Sequence, residues 1–334
     1  MQLDNLWTGP RRALLRYLVS GAIALGGGLA SQDARATAFP SHELTIIVPF
    51  EPGANGDIII RLLAEGMSKR LGQSIVVENK SGGGGMIGTA SAARSKPDGY
   101  TMVLVANVQA VNSSLMKTVP INIEAELRGV TLITKGTSIL VVPAKSTFQT
   151  VGDFLRYAKE HPGVLSYASS GVGSTGQLTM EYLKFMVGLD LKHIPYKGGT
   201  QMYTDLVAGR VDIGFGSTSG APELIEAGKL RGLGITSLQK MEVTGDLPPI
   251  ATDVPGFEVE HWQGIMVPAA TPEEIVSKLH QAASNALSDP EIRGKLERLG
   301  LKVMASSPAE FDSFVHAEII RWADVIQKAG IRPQ

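Results

Sequence analysis

Residues 44–106 decide the fold: LTIIVPF (44–50), DIIIRLLAEGMSKRL (57–71), SIVVENK (74–80), MIGTASAARS (86–95) and YTMVLVA (100–106) succeed one another across short polar or glycine-rich breaks. Short apolar runs bounded by turn residues read as strands, and the longer patterns between them read as helices. Strand, helix, strand, helix, strand is the order of βαβ units. It predicts a mainly parallel sheet with helices on both faces.

The same order returns further along. VGDFLRYAKEH (151–161), LSYASS (165–170), GQLTMEYLKFM (176–186), KHIPYK (192–197), TQMYTDLVAG (200–209), VDIGFG (211–216) and LRGLGIT (230–236) make a second α/β unit. Beyond the prolines at 248, 249 and 255 comes another strand, WQGIMVPA (262–269), and then two amphipathic helices, PEEIVSKLHQAASNALS (272–288) and PAEFDSFVHAEIIRWADVIQKAG (308–330). A chain of 334 residues at roughly 150 residues per domain is long enough for two domains. There is no low-complexity segment and no fixed-period repeat.

Composition removes several function classes. The 31 Lys and Arg against 32 Asp and Glu leave a formal charge of -1, with 43% hydrophobic and 19% charged residues. That balance is globular, and it supplies no field to concentrate nucleic acid or an anionic membrane. With no cysteine in the chain, disulfides, thiolate nucleophiles, iron–sulfur clusters and thiolate zinc sites are excluded.

The first 36 residues read as a targeting segment. Arg11, Arg12 and Arg16 form a basic start, and the apolar stretch from Tyr17 to Ala30 is 14 residues long, against about 20 needed to span a bilayer. Ala34-Arg35-Ala36 follows as an A-x-A cleavage signal, which completes a secretory signal peptide with cleavage expected after Ala36. The bland alternative is an uncleaved N-terminal helix. Either the general secretory route or a twin-arginine route accommodates Arg11-Arg12, and a lipoprotein is excluded for want of a cysteine. Removing this segment takes four arginines and two aspartates from the totals, leaving a charge of about -3. No later run of 18 apolar residues exists, so a soluble protein of an exported compartment, the periplasm, is expected.

In open α/β sheets ligands bind beyond the carboxyl ends of the strands, where helix N-termini direct backbone N–H groups into a crevice. Four loops in such places are rich in small polar residues: 52–57 (PGANGD), 81–85 (SGGGG), 169–176 (SSGVGSTG) and 197–200 (KGGT). Glycine admits backbone to a ligand and lets successive N–H groups turn inward as an anion nest, while Ser and Thr add short neutral donors. The expected ligand is a small carboxylate.

Enzymatic readings fail on the same residues. Gly83-x-Gly85-x-x-Gly88 fits the dinucleotide fingerprint, but a four-glycine run meets that spacing easily and the acidic residue expected about 20 positions on falls in the strand near Val105. A G-x-S-x-G elbow centred on Ser174 is broken by Val172. His42, His161, His193, His261, His280 and His316 show no i, i+4 pair and no H-E-x-x-H, so no dedicated metal site is expected. These histidines read as surface or structural. Asp57 and Arg61 stand at the start of the first helix, where an acid suits the helix dipole and four-residue spacing allows an ion pair. The alternative is that Asp57 touches the ligand through an amine or a water.

Five stretches, PSHELTIIVPFEPGANGDIIIRLLAEGMSKRLGQSIVVENKSGGGGMIGT (40–89), PDGYT (97–101), YASSGVGSTGQLTMEYLK (167–184), PYKGGTQMYTDLVAGRVDIGF (195–215) and WQGIMVPAATP (262–272), together resemble the periplasmic substrate-binding receptors of the tripartite tricarboxylate transporter family, the Bug receptors. Their order and spacing cover the whole mature chain. The resemblance implies an α/β, two-lobed periplasmic binding protein fold of the type II, Venus-flytrap kind, with two mainly parallel sheets and a double crossover between lobes. Residues 37–142 would form the first lobe, 143–261 the second, and 262–334 the return to the first.

It further implies capture of a small organic carboxylate, with no cofactor, no metal and no chemistry, and delivery to membrane permease subunits. A sensor kinase is the alternative partner, an exported hydrolase a remote alternative activity, and a monomer the expected state. Carried over by position, the loop with Phe50, Gly53, Ala54, Asn55 and Asp57 and the loop with Ser170, Gly171, Gly173, Ser174 and Thr175 would grip one carboxylate like pincers. Asn107, Gly199 and Thr200 would line the remainder. Phe50 would lie near the body of the ligand or, as the end of an apolar strand, belong to the core. Two departures bear on the ligand: PGANGD replaces the P-G-G-G-T-D of the resembled loop, with Gly56 in place of its threonine, and Gln177 stands where histidine is frequent.

Overall fold

The computed structural model describes residues 39–171 and 174–328; the signal segment and Gly173 lie outside the described residues. The chain first builds β1 (Leu44–Val48), β2 (Ile75–Asn79), β3 (Thr101–Ala106) and β4 (Leu127–Gly136) of one sheet. It then builds a second sheet from β5 (Ser138–Pro143), β6 (Ser166–Ser169), β7 (Lys192–Pro195), β8 (Ile213–Ser217) and β9 (Leu230–Ile235). β10 (His261–Pro268) and β11 (Leu301–Val303) return to the first. Connecting helices are α1 (Asn55–Leu71), α2 (Met86–Ala93), α3 (Asn107–Leu115), α4 (Ile123–Glu126), α5 (Val151–Glu160), α6 (Thr175–Val187), α7 (Gly199–Val207), α8 (Ala221–Glu226), α9 (Glu273–Leu287), α10 (Pro290–Arg298) and α11 (Pro308–Lys328).

The strand orders are β11-β4-β10-β3-β1-β2 and β7-β6-β8-β5-β9. β2-β1-β3 and β7-β6-β8 are parallel, as the βαβ alternation requires. The remaining pairings, β10 with β3 and β4, β11 with β4, and β5 with β8 and β9, are antiparallel. The sheets are therefore mixed, a refinement of the mainly parallel expectation with a simple cause. β5 and β10 enter their sheets from the end at which the βαβ strands finish, so they must run against them.

Helix α1 shows how the sequence makes these elements. Ile59, Ile60, Leu63, Ala64 and Met67 recur at helical spacing and are buried, so one stripe covers the sheet. Gly72 ends the helix in the left-handed conformation (φ 67°), its N–H returning to the Ser68 carbonyl, because a residue without Cβ adopts that conformation at no steric cost.

The first crossing between sheets is a single residue, Thr137, and β5 pairs in the second sheet. By strand pairing the change of sheet therefore falls at Thr137, against the expected lobe boundary at 142/143. An apolar strand that continues across a hinge carries no composition change to mark the hinge. The return crossing runs into His261, the first residue of β10. The two strands are laced together there: Thr236 and Ser237 donate backbone N–H groups to Thr137 Oγ1 at 3.1 and 3.0 Å, and Ser138 N–H reaches Thr236 Oγ1 at 2.9 Å. Ser138 Oγ lies 2.5 Å from His261 Nε2.

One apolar cluster spans both lobes. Val111 and Leu115 of α3 and Trp322, Val325 and Ile326 of α11 join Phe154, Tyr167, Leu178, Leu183 and Ile213 of the second unit. Consistent with that shared core, the chain from His42 onward forms one compact unit. Among the described residues no helix is long and apolar enough to cross a membrane.

Candidate ligand site

The carboxyl ends of β1, β3, β6 and β7 each run within a few residues into a helix N-terminus, α1, α3, α6 and α7 respectively. The first of these connections, 49–54, is shaped from within. Asp57, in the first turn of α1, accepts Gly53 N–H at 2.9 Å, Asn79 Nδ2 at 3.0 Å and Arg61 Nε at 3.0 Å, with a second Arg61 contact at 2.9 Å. Asn79 Nδ2 also donates to the Phe50 carbonyl at 3.0 Å.

The Asp57 side chain is 4% exposed and that of Arg61 is 52%. The guanidinium hydrogen bond, supported by Gly53 and Asn79 and opposed by burial, lowers the carboxyl pKa to about 2. A carboxylate with this many partners holds the loop in shape. This is the capping and pairing arrangement that the four-residue spacing allows, and it shapes the loop that carries Gly53, Ala54 and Asn55.

Phe50 is half-buried, its ring packed on the start of α1. A Cβ on Gly56 would lie 2.7 Å from Leu104 Cδ2 and 3.0 Å from Phe50 Cδ2, so the position that departs from the resembled motif is one where a side chain would displace Phe50 or Leu104. Gly53 and Asn55 are exposed, Ala54 is half-buried, and Ala54 occupies the N-cap of α1 with no side-chain cap. Backbone N–H groups at such an end are ready donors for an anion.

The glycine run 82–85 does something else. All four glycines have positive φ (128°, 55°, 59° and 89°), and a Cβ on Gly84 or Gly85 would meet Asn112 Nδ2 at 2.2 Å or Gln109 Nε2 at 2.9 Å. Asn112 Nδ2 donates to the Gly84 carbonyl at 3.0 Å, and Gln109 Oε1 accepts Ala106 N–H at 3.0 Å. The run is a close-packed buttress for α3. It fixes Asn107, the first residue of that helix, which is 6% exposed.

Asn107 Nδ2 donates to Thr175 Oγ1 at 3.3 Å, which brings the first-lobe and second-lobe loops together. Ser174 caps α6 by accepting Gln177 N–H at 3.4 Å. Ser170 is exposed and its carbonyl accepts Gly198 N–H at 3.1 Å, joining the 169–175 loop to the one that carries Gly199 and Thr200. Gly199 is half-buried at the start of α7, which has no side-chain cap, and Thr200 is exposed. Sequence reasoning missed two residues that shape these loops, Asn79 and Ser169. A polar side chain at or next to the carboxyl end of a strand was the available signal for Asn79 and Ser169.

Two cavities lie away from these loops. One of about 480 Å³ is lined by Lys145, Phe148, Tyr157 and Asp212, and one of about 430 Å³ by Leu127, Arg128, Met266 and Asp312. The first lies by the starts of β6 and β8 and the end of β5, the second by the start of β4 and the end of β10. Among the described residues no cluster of His, Asp or Glu is placed to hold a metal ion.

Two α/β lobes joined by a double strand crossing, with helix N-termini gathered at the crossing side, define a two-lobed binding protein. The model of the tripartite tricarboxylate transporter family receptors matches residues 59–331, and this chain belongs to that family. It is accordingly a solute receptor and not an enzyme. It is 35% identical over 314 residues, 93% of this chain and 94% of the relative, to the UPF0065 protein of the tcbD-tcbE intergenic region of Pseudomonas sp. strain P51. It is 30% identical to protein BugT of Bordetella pertussis, covering 94% of this chain and 97% of that protein.

Solved structures agree in fold. That of periplasmic binding protein BugD superposes with a TM-score of 0.74 at 30% identity, over 89% of this chain and 100% of that one. R. palustris Rpa4515 with adipate gives 0.77 at 33% identity over 89% and 100%. MatC of Rhodopseudomonas palustris with bound malate gives 0.73 at 30% over 86% and 100%.

Proposed function

We propose that this receptor works in the periplasm, closes its lobes around a small organic carboxylate and delivers it to the membrane subunits of a tripartite tricarboxylate-type transporter, its signal peptide having been cleaved after Ala36. The observation that carries this reading is the Asn107–Thr175 contact between the lobes, flanked by the uncapped N-termini of α1 and α7. Such ends favour negative charge. Hinge motion about the Thr137 and His261 crossings would open and close the cleft. The adipate and malate bound by the two relatives are small carboxylates, which supports the same class here.

The test is a thermal-shift screen of the mature protein, purified from periplasmic extract, against mono-, di- and tricarboxylates, aromatic acids, amino acids and sugars. A ligand at 100 times its dissociation constant adds about 2.7 kcal/mol of apparent stability, and shifts confined to carboxylates are expected. Shifts from sugars alone would sink the carboxylate reading. Intact mass of the same sample reports the cleavage site, and loss of carboxylate uptake on deleting the receptor gene reports the transporter role.

A further inference from the structure

His193, read from the sequence as surface or structural, lies on β7 opposite Tyr167 of β6 and stacks on its ring, centroids 4.7 Å apart and planes 15° from parallel. Its Nε2 is 2.7 Å from Oγ of the fully buried Ser169. Ser169 Oγ also donates to the Gly171 carbonyl at 3.0 Å and accepts Gly171 N–H at 3.3 Å. We propose that His193 is a positioning residue for the bound carboxylate: by donating from Nε2 to Ser169 it sets the turn from which the second-lobe gripping loop departs. This rests on the receptor reading above.

The hydrogen count assigns the donor. A serine hydroxyl has one hydrogen and two lone pairs, and a carbonyl can only accept. The Ser169 proton therefore goes to Gly171 O, and both lone pairs receive N–H groups, one from Gly171 and one from the imidazole. His193 thus carries a hydrogen on Nε2. Burial lowers its pKa and so favours the neutral form, while Glu181 favours the charged form and Lys184 opposes it. The ring is locked from behind, since Tyr167 donates to Glu181 at 2.5 Å and Lys184 lies over the Tyr167 ring at 5.5 Å.

From Ser169 the order propagates outward. Its carbonyl accepts Tyr196 N–H at 3.0 Å, and the next carbonyl, of Ser170, accepts Gly198 N–H at 3.1 Å. One imidazole thereby orients both second-lobe loops without touching the ligand.

The experiment compares the mature protein with His193→Phe, which keeps a ring against Tyr167 but has no donor, and His193→Gln, whose amide nitrogen replaces Nε2. In ligand-free protein, amide exchange at Gly171 and Gly198 should quicken about tenfold in His193→Phe and return to within about threefold in His193→Gln. Titration with malate and with adipate should show a parallel loss and rescue of affinity, about tenfold for one lost neutral hydrogen bond. Nitrogen-15 shifts should show the Nε2–H tautomer in the parent. Unchanged exchange in His193→Phe, or an Nδ1–H tautomer, overturns the inference. Quickened exchange in a protein that binds no carboxylate supports the role of His193 in the turn and counts against the receptor reading alone.

Discussion

Asn107, the first residue of α3, donates to Thr175, the first residue of α6, across the meeting of the two lobes at 3.3 Å. Two helix N-termini from different sheets are thus in contact through side chains, at the place where a ligand between the lobes would bring them together.

That contact is testable as a coupling. Replacing Ser174 and Thr175 together by alanine should weaken carboxylate binding by roughly 1 to 3 kcal/mol, the cost of removing partners from buried polar groups. In a double-mutant cycle, Asn107→Ala with Thr175→Val should show about 0.5 kcal/mol or more of coupling in ligand affinity by calorimetry. Additive losses would place the contact outside the bound state.

Asp57 should control both stability and the first gripping loop. Its folded pKa of about 2 lies below the ordinary 3.8, so its contribution is fully present above pH 3.8 and is lost as pH falls through 2, amounting to about 1 to 2 kcal/mol. Asp57→Asn should remove that acid-side loss in urea titrations at successive pH values and weaken carboxylate binding, because the backbone of Gly53 would lose its charged acceptor.

His261 gives the opposite kind of group, one buried as a neutral base. Burial lowers its pKa from 6.5 to about 4, so between those values the unfolded chain binds more protons and stability rises with pH. As pH falls from 6.5 to 4, roughly 3 kcal/mol should be lost. His261→Gln should flatten that segment of the stability profile. A slope equal to the parent's would assign the effect to other groups.

Glu318 of α11 receives both indole N–H groups behind the crossing, from Trp262 at 2.8 Å and from Trp322 at 3.3 Å, and pairs with Arg321 at 3.0 Å. Glu318→Ala strands two buried donors, each left unmade at a cost of about 1 to 3 kcal/mol. A lower denaturation midpoint and altered tryptophan emission are expected. Emission identical to the parent's would show that the indoles had kept other partners.

Gly84→Ala tests the buttress. Its Cβ would press into Asn112 at 2.2 Å from a backbone with φ 59°, so a loss of about 1 to 3 kcal/mol is expected. Carboxylate affinity should fall with it if α3 needs that support to hold Asn107 in place.

Much of the fold was legible along the chain. Runs such as LTIIVPF and YTMVLVA are strands because their apolar side chains are buried on both faces of a covered sheet, and the α1 stripe has helical spacing for the same reason. The change of sheet was not legible, since the apolar run from β4 through β5 looks continuous whether or not the partner strand changes at Thr137. The candidate site was half legible. Small polar loops after strands marked Gly53, Asn55, Ser174 and Thr175, but the same composition also marked the 82–85 glycines, whose freedom of φ serves close packing against Asn112.

By itself the sequence determined the α/β alternation, the absence of thiol chemistry and the receptor family, because each rests on composition, local periodicity or motif order. The tertiary structure alone decided which polar groups meet. Asp57 finds Asn79 22 residues away, and Asn107 finds Thr175 68 residues away. Such partnerships follow from strand order and from the one-residue crossing between sheets. Periodicity sets which face a side chain takes, while only the packed sheets set what stands opposite.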